Sequence, residues 1–321
     1  MESCLVIGAG LSGLIAAQTL QEGGLLVTIL EKEDKVGGRM RTDRIQDGVF
    51  DHGAQFFTVR SCRFGEMVEA WISAGIAQVW TRGFADLTGE YREDGHPRYR
   101  GKRGMTSVAE YLARDLDVRT HAEVNLLQRN EQSWKVVAGN AAYYADALIL
   151  AAPSALALAE SSGIPLPSEA RSDLENIRYD PCIAVMALLD GPGKIPAPGG
   201  LQIGGDPLFW VADNLKKGIS KVPAATIHAG PEFSREHLNS DDVKISGLLL
   251  EEAKDYVGAG VKATEVYRWK HSAPIEIHEE SFVYVGDPPP LVFCGDAYAG
   301  PKVEGAVLSG LAAAEKLLES R

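Results

Sequence analysis

A short apolar run that stops at a cluster of glycines constrains this chain more than any other feature. Residues 5–7, Leu-Val-Ile, lead into Gly8-Ala9-Gly10-Leu11-Ser12-Gly13, and an alanine- and leucine-rich stretch continues to Glu22. A second apolar run, Leu25 to Leu30, ends at Glu31. The order is strand, tight turn, helix, strand, acid, which is the opening unit of a dinucleotide-binding fold. Gly8 lets the chain turn sharply out of the strand. Gly10 has no side chain, so the backbone can approach a pyrophosphate closely. Gly13 lets the helix lie close to the sheet. The free N–H groups at the helix start then face the phosphates, where the helix dipole favours negative charge. Glu31 falls near the expected spacing of about 20 residues, where a carboxylate accepts hydrogen bonds from ribose hydroxyls. An acid there also disfavours a 2′-phosphate. A lone fingerprint of this kind is weak evidence, but here both strands, the helix and the acid flank it.

Further motifs separate FAD from NAD. Lys32 follows the acid, and Gly37-Gly38-Arg39-Met40-Arg41-Thr42 comes soon after. Asp51-His52-Gly53-Ala54-Gln55-Phe56-Phe57 stands next. Near the C-terminus, the apolar run Leu291–Phe293 precedes Cys294-Gly295-Asp296-Ala297, and Gly300-Pro301-Lys302-Val303-Glu304-Gly305-Ala306 opens a helix. Together these stretches resemble the FAD-dependent amine oxidase superfamily. The Asp51–Phe57 stretch and the short chain resemble its renalase-like branch.

The resemblance implies an α/β fold: a Rossmann-type FAD-binding domain with an interleaved α+β substrate domain built on a mixed sheet. Segments 1–60, 101–160 and 266–321 would form the FAD-binding domain, and 61–100 and 161–265 the substrate domain. The cofactor contacts it implies are Gly8, Gly10, Leu11, Ser12, Gly13, Glu31, Lys32, Gly38, Arg39, Met40, Ala54, Gln55, Phe56, Phe57, Val124, Asp296 and Val303. In the family, Asp296 would meet the ribityl or phosphate region and Val124 the adenine. The helix start at Lys302-Val303 would lie under the flavin ring and stabilise its reduced anion.

Charge and cysteine usage narrow the function classes. The net charge of −12 argues against nucleic-acid binding, which depends on basic surface. It leaves room for an anionic small substrate in a local arginine pocket. Four scattered cysteines, Cys4, Cys62, Cys182 and Cys294, form no Cys-x-x-Cys pair, so no zinc ribbon or dithiol motif is indicated. Free thiols in a cytoplasmic protein fit them best. Nothing points to covalent flavin attachment at any of them. The N-terminus has no basic leader region, and no run approaches the ~18 apolar residues of a membrane span.

Along the chain, residues 43–60 read as extended segments around Asp47-Gly48. Phe64, Met67, Val68, Trp71 and Ile72 mark one apolar helix face. Residues 80–103 are polar, aromatic and arginine-rich. They read as a solvated β-meander, or alternatively as a loop or hairpin over the active site with Arg98 and Arg100 near an anionic substrate. Ser107 and Glu110 have capping-box spacing for the next helix. Val118 to Leu127 reads as a strand, and Gly139-Asn140 as a hairpin turn. Ala147–Ala152 reads as a buried strand. Cys182–Leu189, Phe209–Val211 and Ala225–Ala229 are further strands. Asp241-Asp242 caps a helix with Ile245, Leu248, Leu249 and Ala253 on its apolar side. His228 reads as a strand residue with a satisfied ring. Arg268-Trp269-Lys270 lies on a strand that, by resemblance, returns beside the flavin, where Trp269 packs against the ring or shapes the substrate pocket.

No Ser-His-Asp order and no metal-ligand cluster appear, so catalytic residues stay unassigned. Many oxidases of the family carry a lysine that holds a water near flavin N5. Lys270 and Lys302 are the lysines beside the flavin-lining motifs. A single glycine fingerprint argues against a reductase that binds a second nucleotide. The resemblance implies a FAD-dependent oxidase that takes a hydride from a small substrate, with O2 as oxidant and hydrogen peroxide as product. A renalase-like enzyme would oxidise isomeric dihydronicotinamide dinucleotides to NAD(P)+. The alternatives are an amine oxidase acting on a small amine or polyamine, and a FAD-binding protein without turnover.

Overall fold

The glycine-flanked apolar run does form strand, turn and helix. A computed structural model describes residues 1–153, 159, 162–298 and 300–321. Its first compact unit comprises Met1–Gly38, Val108–Arg178 and Pro274–Arg321. There the strand Ser3–Ile7 leads into the helix Leu11–Glu22 and the strand Leu26–Leu30. A six-stranded sheet runs in the order Val283–Val285, Leu291–Phe293, Ala147–Leu150, Ser3–Ile7, Leu26–Leu30, Asp117–Arg119. Every neighbouring pair is parallel except the antiparallel edge pair Val283–Val285 and Leu291–Phe293. The first strand is central, with Cys4 level with both Ala147 and Val27. The chain fills one side of it and later returns to fill the other, so the strand order reverses there. In open parallel sheets that reversal makes a crevice at the carboxyl ends of the strands.

The last helix, Lys302–Glu319, packs against the helix that follows the glycine turn. A Cβ at Gly310 would stand 2.3 Å from the Ser12 carbonyl oxygen, so the two backbones meet without an intervening side chain. A three-stranded antiparallel sheet, Val124–Arg129, Trp134–Ala138 and Ala141–Ala145, completes this unit. It is anchored by the fully buried Trp134, whose indole N–H donates to the Pro290 carbonyl at 3.0 Å.

The second unit comprises Arg39–Ser107 and Tyr179–Ala273. Its five-stranded sheet runs Gly200–Gln202, Leu208–Asp213, Ala224–Ala229, Arg178–Leu189, Val261–Glu276. The strand Arg178–Leu189 is apolar on both faces, and the alternation of side chains divides them. Ile183, Val185, Ala187 and Leu189 join a core with Ile245 and Leu249 of the helix Asp242–Glu252. Met186 and Leu188 face the other way, onto Ile45 and Phe50 of the hairpin Thr42–Ile45/Gly48–Asp51. That packing draws residues 39–60 into the second unit, whereas the sequence places them with the FAD-binding segments. A second hairpin, Ala77–Ala85 with Tyr91–Gly101, occupies the arginine-rich stretch.

Three local expectations change. The strand expected over 118–127 is broken into Asp117–Arg119 and Val124–Arg129. His121 between them has φ +53°, and the Ala122 N–H turns to the Glu31 carbonyl at 2.8 Å. The helix expected to be capped by Ser107 begins at Thr106. The Ser107 hydroxyl donates to the Gly104 carbonyl at 2.7 Å, because the chain already turns at Gly104, φ +109°. Leu248 is 41% exposed, one helical step off the buried stripe of Ile245 and Leu249. No helix among the described residues is long and apolar enough to cross a membrane.

The close helix crossing yields a stability test. Gly310→Ala should destabilise the protein by about 1–3 kcal/mol, because the methyl must push two backbones apart. Urea unfolding monitored by circular dichroism measures the loss, and Ala313→Gly in the same helix, which opens space, is the contrasting control.

Candidate active site

The glycine turn supplies the first part of the site. Gly8 has φ +105°, and a Cβ at Gly13 would stand 2.0 Å from the Gly8 carbonyl oxygen. Only glycine permits that turn and that approach. A Cβ at Gly10 would meet nothing within 4 Å, so the space above it is open. No side chain caps the helix start at Gly10. Its first-turn N–H groups therefore face open space, as an anion-binding helix end requires. The Gly37 N–H donates to the Ala9 carbonyl at 2.9 Å, and Gly38 lies over Gly10.

Glu31 is buried at the end of the second strand. Its carboxylate accepts from the N–H groups of Ala9, at 2.7 Å, and Glu33, at 3.0 Å. It is thus held in place with lone pairs to spare for ribose hydroxyls. The Glu31 backbone bonds to Arg119 and Ala122, which brings the half-buried Val124 strand to this end of the sheet. Lys32 is exposed and pairs with Glu33 at 3.7 Å. Leu11 is buried in the helix. The Ser12 hydroxyl points away from the open turn and donates to Cys294 Sγ at 3.1 Å, leaving only its backbone N–H for a phosphate.

The C-terminal motif repeats the design of the N-terminal one. Gly300 has φ +147°, and a Cβ at Gly305 would stand 1.6 Å from the Gly300 carbonyl oxygen. The helix from Lys302 has no side-chain cap, and Lys302 itself has φ +82°, a strained conformation for a residue with a Cβ. Val303 is buried in its first turn. Asp296 is buried beyond the strand Leu291–Phe293, and the Gly295 N–H donates to Ser309 Oγ at 2.9 Å, tying that strand end to the helix. These observations fit a dinucleotide: open glycine, two helix starts without side-chain caps, and a buried Glu31 with lone pairs to spare.

The second unit builds a different constellation around Asp51 and His52. Asp51 is fully buried. It accepts from the Met105 N–H at 2.8 Å and from Thr42 Oγ1 at 2.5 Å. Its other oxygen forms a 2.7 Å ion pair with Lys217 Nζ. Lys217 is itself buried, 3.4 Å from Gln55 Oε1 and over the Trp80 ring at 5.1 Å. Burial pushes the Lys217 pKa down, Asp51 opposes that, and Arg100 adds to it. Sequence reasoning missed Lys217. It named Lys270 and Lys302, which are both exposed. The only local hint was a lysine placed soon after the buried strand Leu208–Asp213; its partner lies far earlier in the chain.

The His52 carbonyl accepts from Trp269 Nε1 at 2.9 Å and from His228 Nε2 at 3.0 Å. Trp269 stacks on the His52 ring, 5.3 Å between centroids. Burial pushes the His228 pKa down to about 4, so its ring is neutral near pH 7, consistent with a satisfied strand histidine. Arg39 donates to the Ser272 carbonyl at 3.1 Å, and its own carbonyl accepts from Ala54 N–H at 2.8 Å. Met40 is buried. Gln55 Nε2 donates to the Asp51 and Gly53 carbonyls, which aims Oε1 at Lys217. Phe57 is taken up by packing on Phe64, Trp71 and Tyr99, while Phe56 faces Trp80, Phe84 and Trp210.

Arg98 and Arg100 part company. Arg98 is bound by Asp94 and lies over Phe84 and Phe56. Arg100 is buried, and its guanidinium donates to the carbonyls of Gly101, Lys102 and Gly218. Those bonds make it an anchor of the chain around Lys217, which limits what it can offer a substrate. All four cysteines are free, and burial pushes the Cys182 and Cys294 thiols up to about 12. Among the described residues no group of His, Cys, Asp and Glu could hold a metal ion.

Two family models match the chain. Residues 6–70 match the model of the NAD(P)-binding Rossmann-like domain, and residues 81–318 that of flavin containing amine oxidoreductase. A 54-residue stretch, 17% of this chain and 11% of the relative, is 44% identical to polyamine oxidase 4 of Oryza sativa subsp. japonica. A 64-residue stretch, 20% and 13% respectively, is 38% identical to protoporphyrinogen oxidase 2, chloroplastic/mitochondrial, of Arabidopsis thaliana. These stretches cover only a small part of the curated relatives. Wild-type putrescine oxidase bound to putrescine superposes with a TM-score of 0.74 at 16% identity, over 99% of both chains. At that identity the likeness concerns the fold.

Two stability effects test the buried groups. Lys217→Met leaves the Asp51 carboxylate buried and unpaired, and should cost about 3–5 kcal/mol. Adding Asp51→Asn should return part of it in urea unfolding. His228 titrates near 4 when folded against 6.5 in the open chain. As pH falls below 6.5 the unfolded chain takes up that proton and the folded one does not. Its contribution is therefore complete above 6.5 and drains away down to about 4, on the order of 3 kcal/mol in all. His228→Gln, which keeps an N–H for the His52 carbonyl, should flatten that acid limb when unfolding is compared at pH 7 and pH 4.5.

Proposed function

The chain belongs to the flavin containing amine oxidoreductase family, with FAD as its cofactor, and on that premise we propose that it is an oxidase of isomeric dihydronicotinamide dinucleotides. The substrate would give up a hydride and leave as NAD(P)+, with O2 as the final oxidant and hydrogen peroxide as product. The observation that carries this reading is the charge beside the Asp51–Phe57 segment. Lys217, Arg98 and Arg100 set three cations there against Asp51 and Asp94. A surplus of positive charge with aromatic faces suits a planar ring on an anionic dinucleotide better than an ammonium.

Bound FAD supplies the hydride acceptor, N5 of its ring system. In the first unit the N–H groups after Gly10 would hold the pyrophosphate, and Glu31 would accept from the ribose hydroxyls. Asp296 would hold the ribityl or phosphate region, and Val124 would meet the adenine. The uncapped helix start at Lys302-Val303 would place positive dipole at the flavin ring. In the second unit Lys217 is our candidate for the functional lysine that many oxidases of the family carry. Its depressed pKa and its tie to Asp51 suit a group that exchanges hydrogen bonds with water. Trp269, fixed through its indole N–H on the His52 carbonyl, would shape the pocket wall.

A second reading, oxidation of a small amine or polyamine, is favoured by the family match and by the likeness in fold to putrescine oxidase. One anaerobic experiment separates the readings. Mixing the FAD-loaded protein with a 6-dihydronicotinamide dinucleotide should bleach the visible flavin bands, and air should restore them with formation of peroxide. Bands that stay oxidised with the dinucleotide but bleach with putrescine or spermidine would transfer the assignment to amines.

A further inference from the structure

Among the described residues of the second unit, Trp210 Nε1, Arg98 Nε and Arg100 Nε are buried donors without a partner, and the first two belong to side chains that lie against the same pair of rings. Trp210 is 3% exposed, and its indole N–H makes no hydrogen bond. Trp80, in the same cluster, donates its indole N–H to the Pro198 carbonyl at 3.0 Å, so an unmet indole is not a general property of the cluster. Arg98 Nε is likewise buried and unpartnered, while its terminal nitrogens are bound by Asp94. Trp210 meets Phe84 at 5.1 Å and Phe56 at 5.9 Å between centroids. The Arg98 guanidinium stands 5.2 Å from the Phe84 centroid and 5.9 Å from that of Phe56. Phe56, Trp80 and Phe84 are only half-buried, so the cluster keeps an open aromatic side.

A buried donor without an acceptor costs about 1–3 kcal/mol, so each of these donors calls for an acceptor, and both side chains lie on Phe56 and Phe84. Indole N–H and guanidinium Nε–H are donors only. What they recognise must bring oxygen or another acceptor and must not bring an ammonium. The aromatic faces that would draw a ligand cation already carry Arg98 on Phe56 and Phe84, and Lys217 on Trp80. We propose that Trp210, Arg98, Phe56 and Phe84 form a specificity subsite for a planar ring bearing a carbonyl or carboxylate oxygen, and that Arg98 excludes ammonium ligands from it. This deepens the dihydronicotinamide reading and rests on it for the identity of the natural ligand, since a carboxamide on a flat ring has the required form.

The test reads binding without turnover. FAD-loaded protein is titrated calorimetrically with two probes of similar size: nicotinamide, a neutral ring with a carboxamide oxygen, and benzylamine, a ring with an ammonium. The wild type should bind nicotinamide at least tenfold more tightly than benzylamine. Trp210→Phe keeps a ring and removes the N–H, and should weaken nicotinamide about tenfold, the worth of one hydrogen bond. Arg98→Met, on a hairpin strand, should weaken nicotinamide and strengthen benzylamine, while Arg98→Lys should weaken nicotinamide without strengthening benzylamine. Nicotinamide affinity within twofold of wild type in Trp210→Phe, or equal affinity of the wild type for both probes, overturns the subsite. If dinucleotide isomers fail to bleach the flavin while the Trp210→Phe loss holds, the subsite stands and the substrate reading falls. If the isomers turn over with the same KM in Trp210→Phe and wild type, the subsite alone falls.

Discussion

Contact between a glycine and the carbonyl oxygen five residues before it is the constraint on which the first unit depends. At Gly13 over Gly8 and again at Gly305 over Gly300, a Cβ would penetrate the oxygen. The first contact presses a helix start against the end of a strand, the second presses one against the loop before it, and no side chain caps either helix. Two helices then cross at Gly310 with backbone against backbone. The reversal of strand order at Ser3–Ile7 opens the sheet at the end where both turns lie. An anion-binding site here is a property of backbone geometry, and the side chains around it mostly serve to hold that geometry.

The second unit works by the opposite principle. Its chemistry sits in side chains buried at real energetic cost. An isolated buried ammonium or carboxylate would be strongly disfavoured. Asp51 and Lys217 tolerate burial because each neutralises the other and because Thr42, Met105 and Gln55 supply the remaining hydrogen bonds. Such a pair contributes little net stability, yet breaking it is expensive. It therefore holds a positive charge at one place in an aromatic surrounding. His52 plays a related part through its backbone, where one carbonyl fixes both Trp269 and His228.

Much of this was legible in the chain. The fingerprint from Gly8 to Gly13, the acid at Glu31, the late Gly295-Asp296 and the helix from Lys302 were all readable, because each is a local pattern whose residue types have one physical use. Alternation and helical spacing located most strands and helices. The misses have physical causes. The strand over 118–127 breaks because the Ala122 N–H is claimed by Glu31, a contact no local pattern encodes. Residues 39–60 pack with the second unit because Phe50 finds Met186 and Leu188, distant in sequence.

The sequence by itself determined the fold class, the dinucleotide fingerprint and the family, since these rest on backbone conformations that only particular residues permit. Tertiary structure alone decided which charged side chains count. Lys217, not Lys270 or Lys302, is the buried lysine, and it is neutralised by the fully buried Asp51. Arg100 is drawn into holding carbonyls while Arg98 lies on aromatic rings, though the two stand a residue apart on one strand. Residues two apart on a strand share a face, so alternation does not separate them; the pairing with Ala77–Ala85 shifts register between Val79 and Thr81, and what each arginine meets depends on segments that only the folded chain brings near.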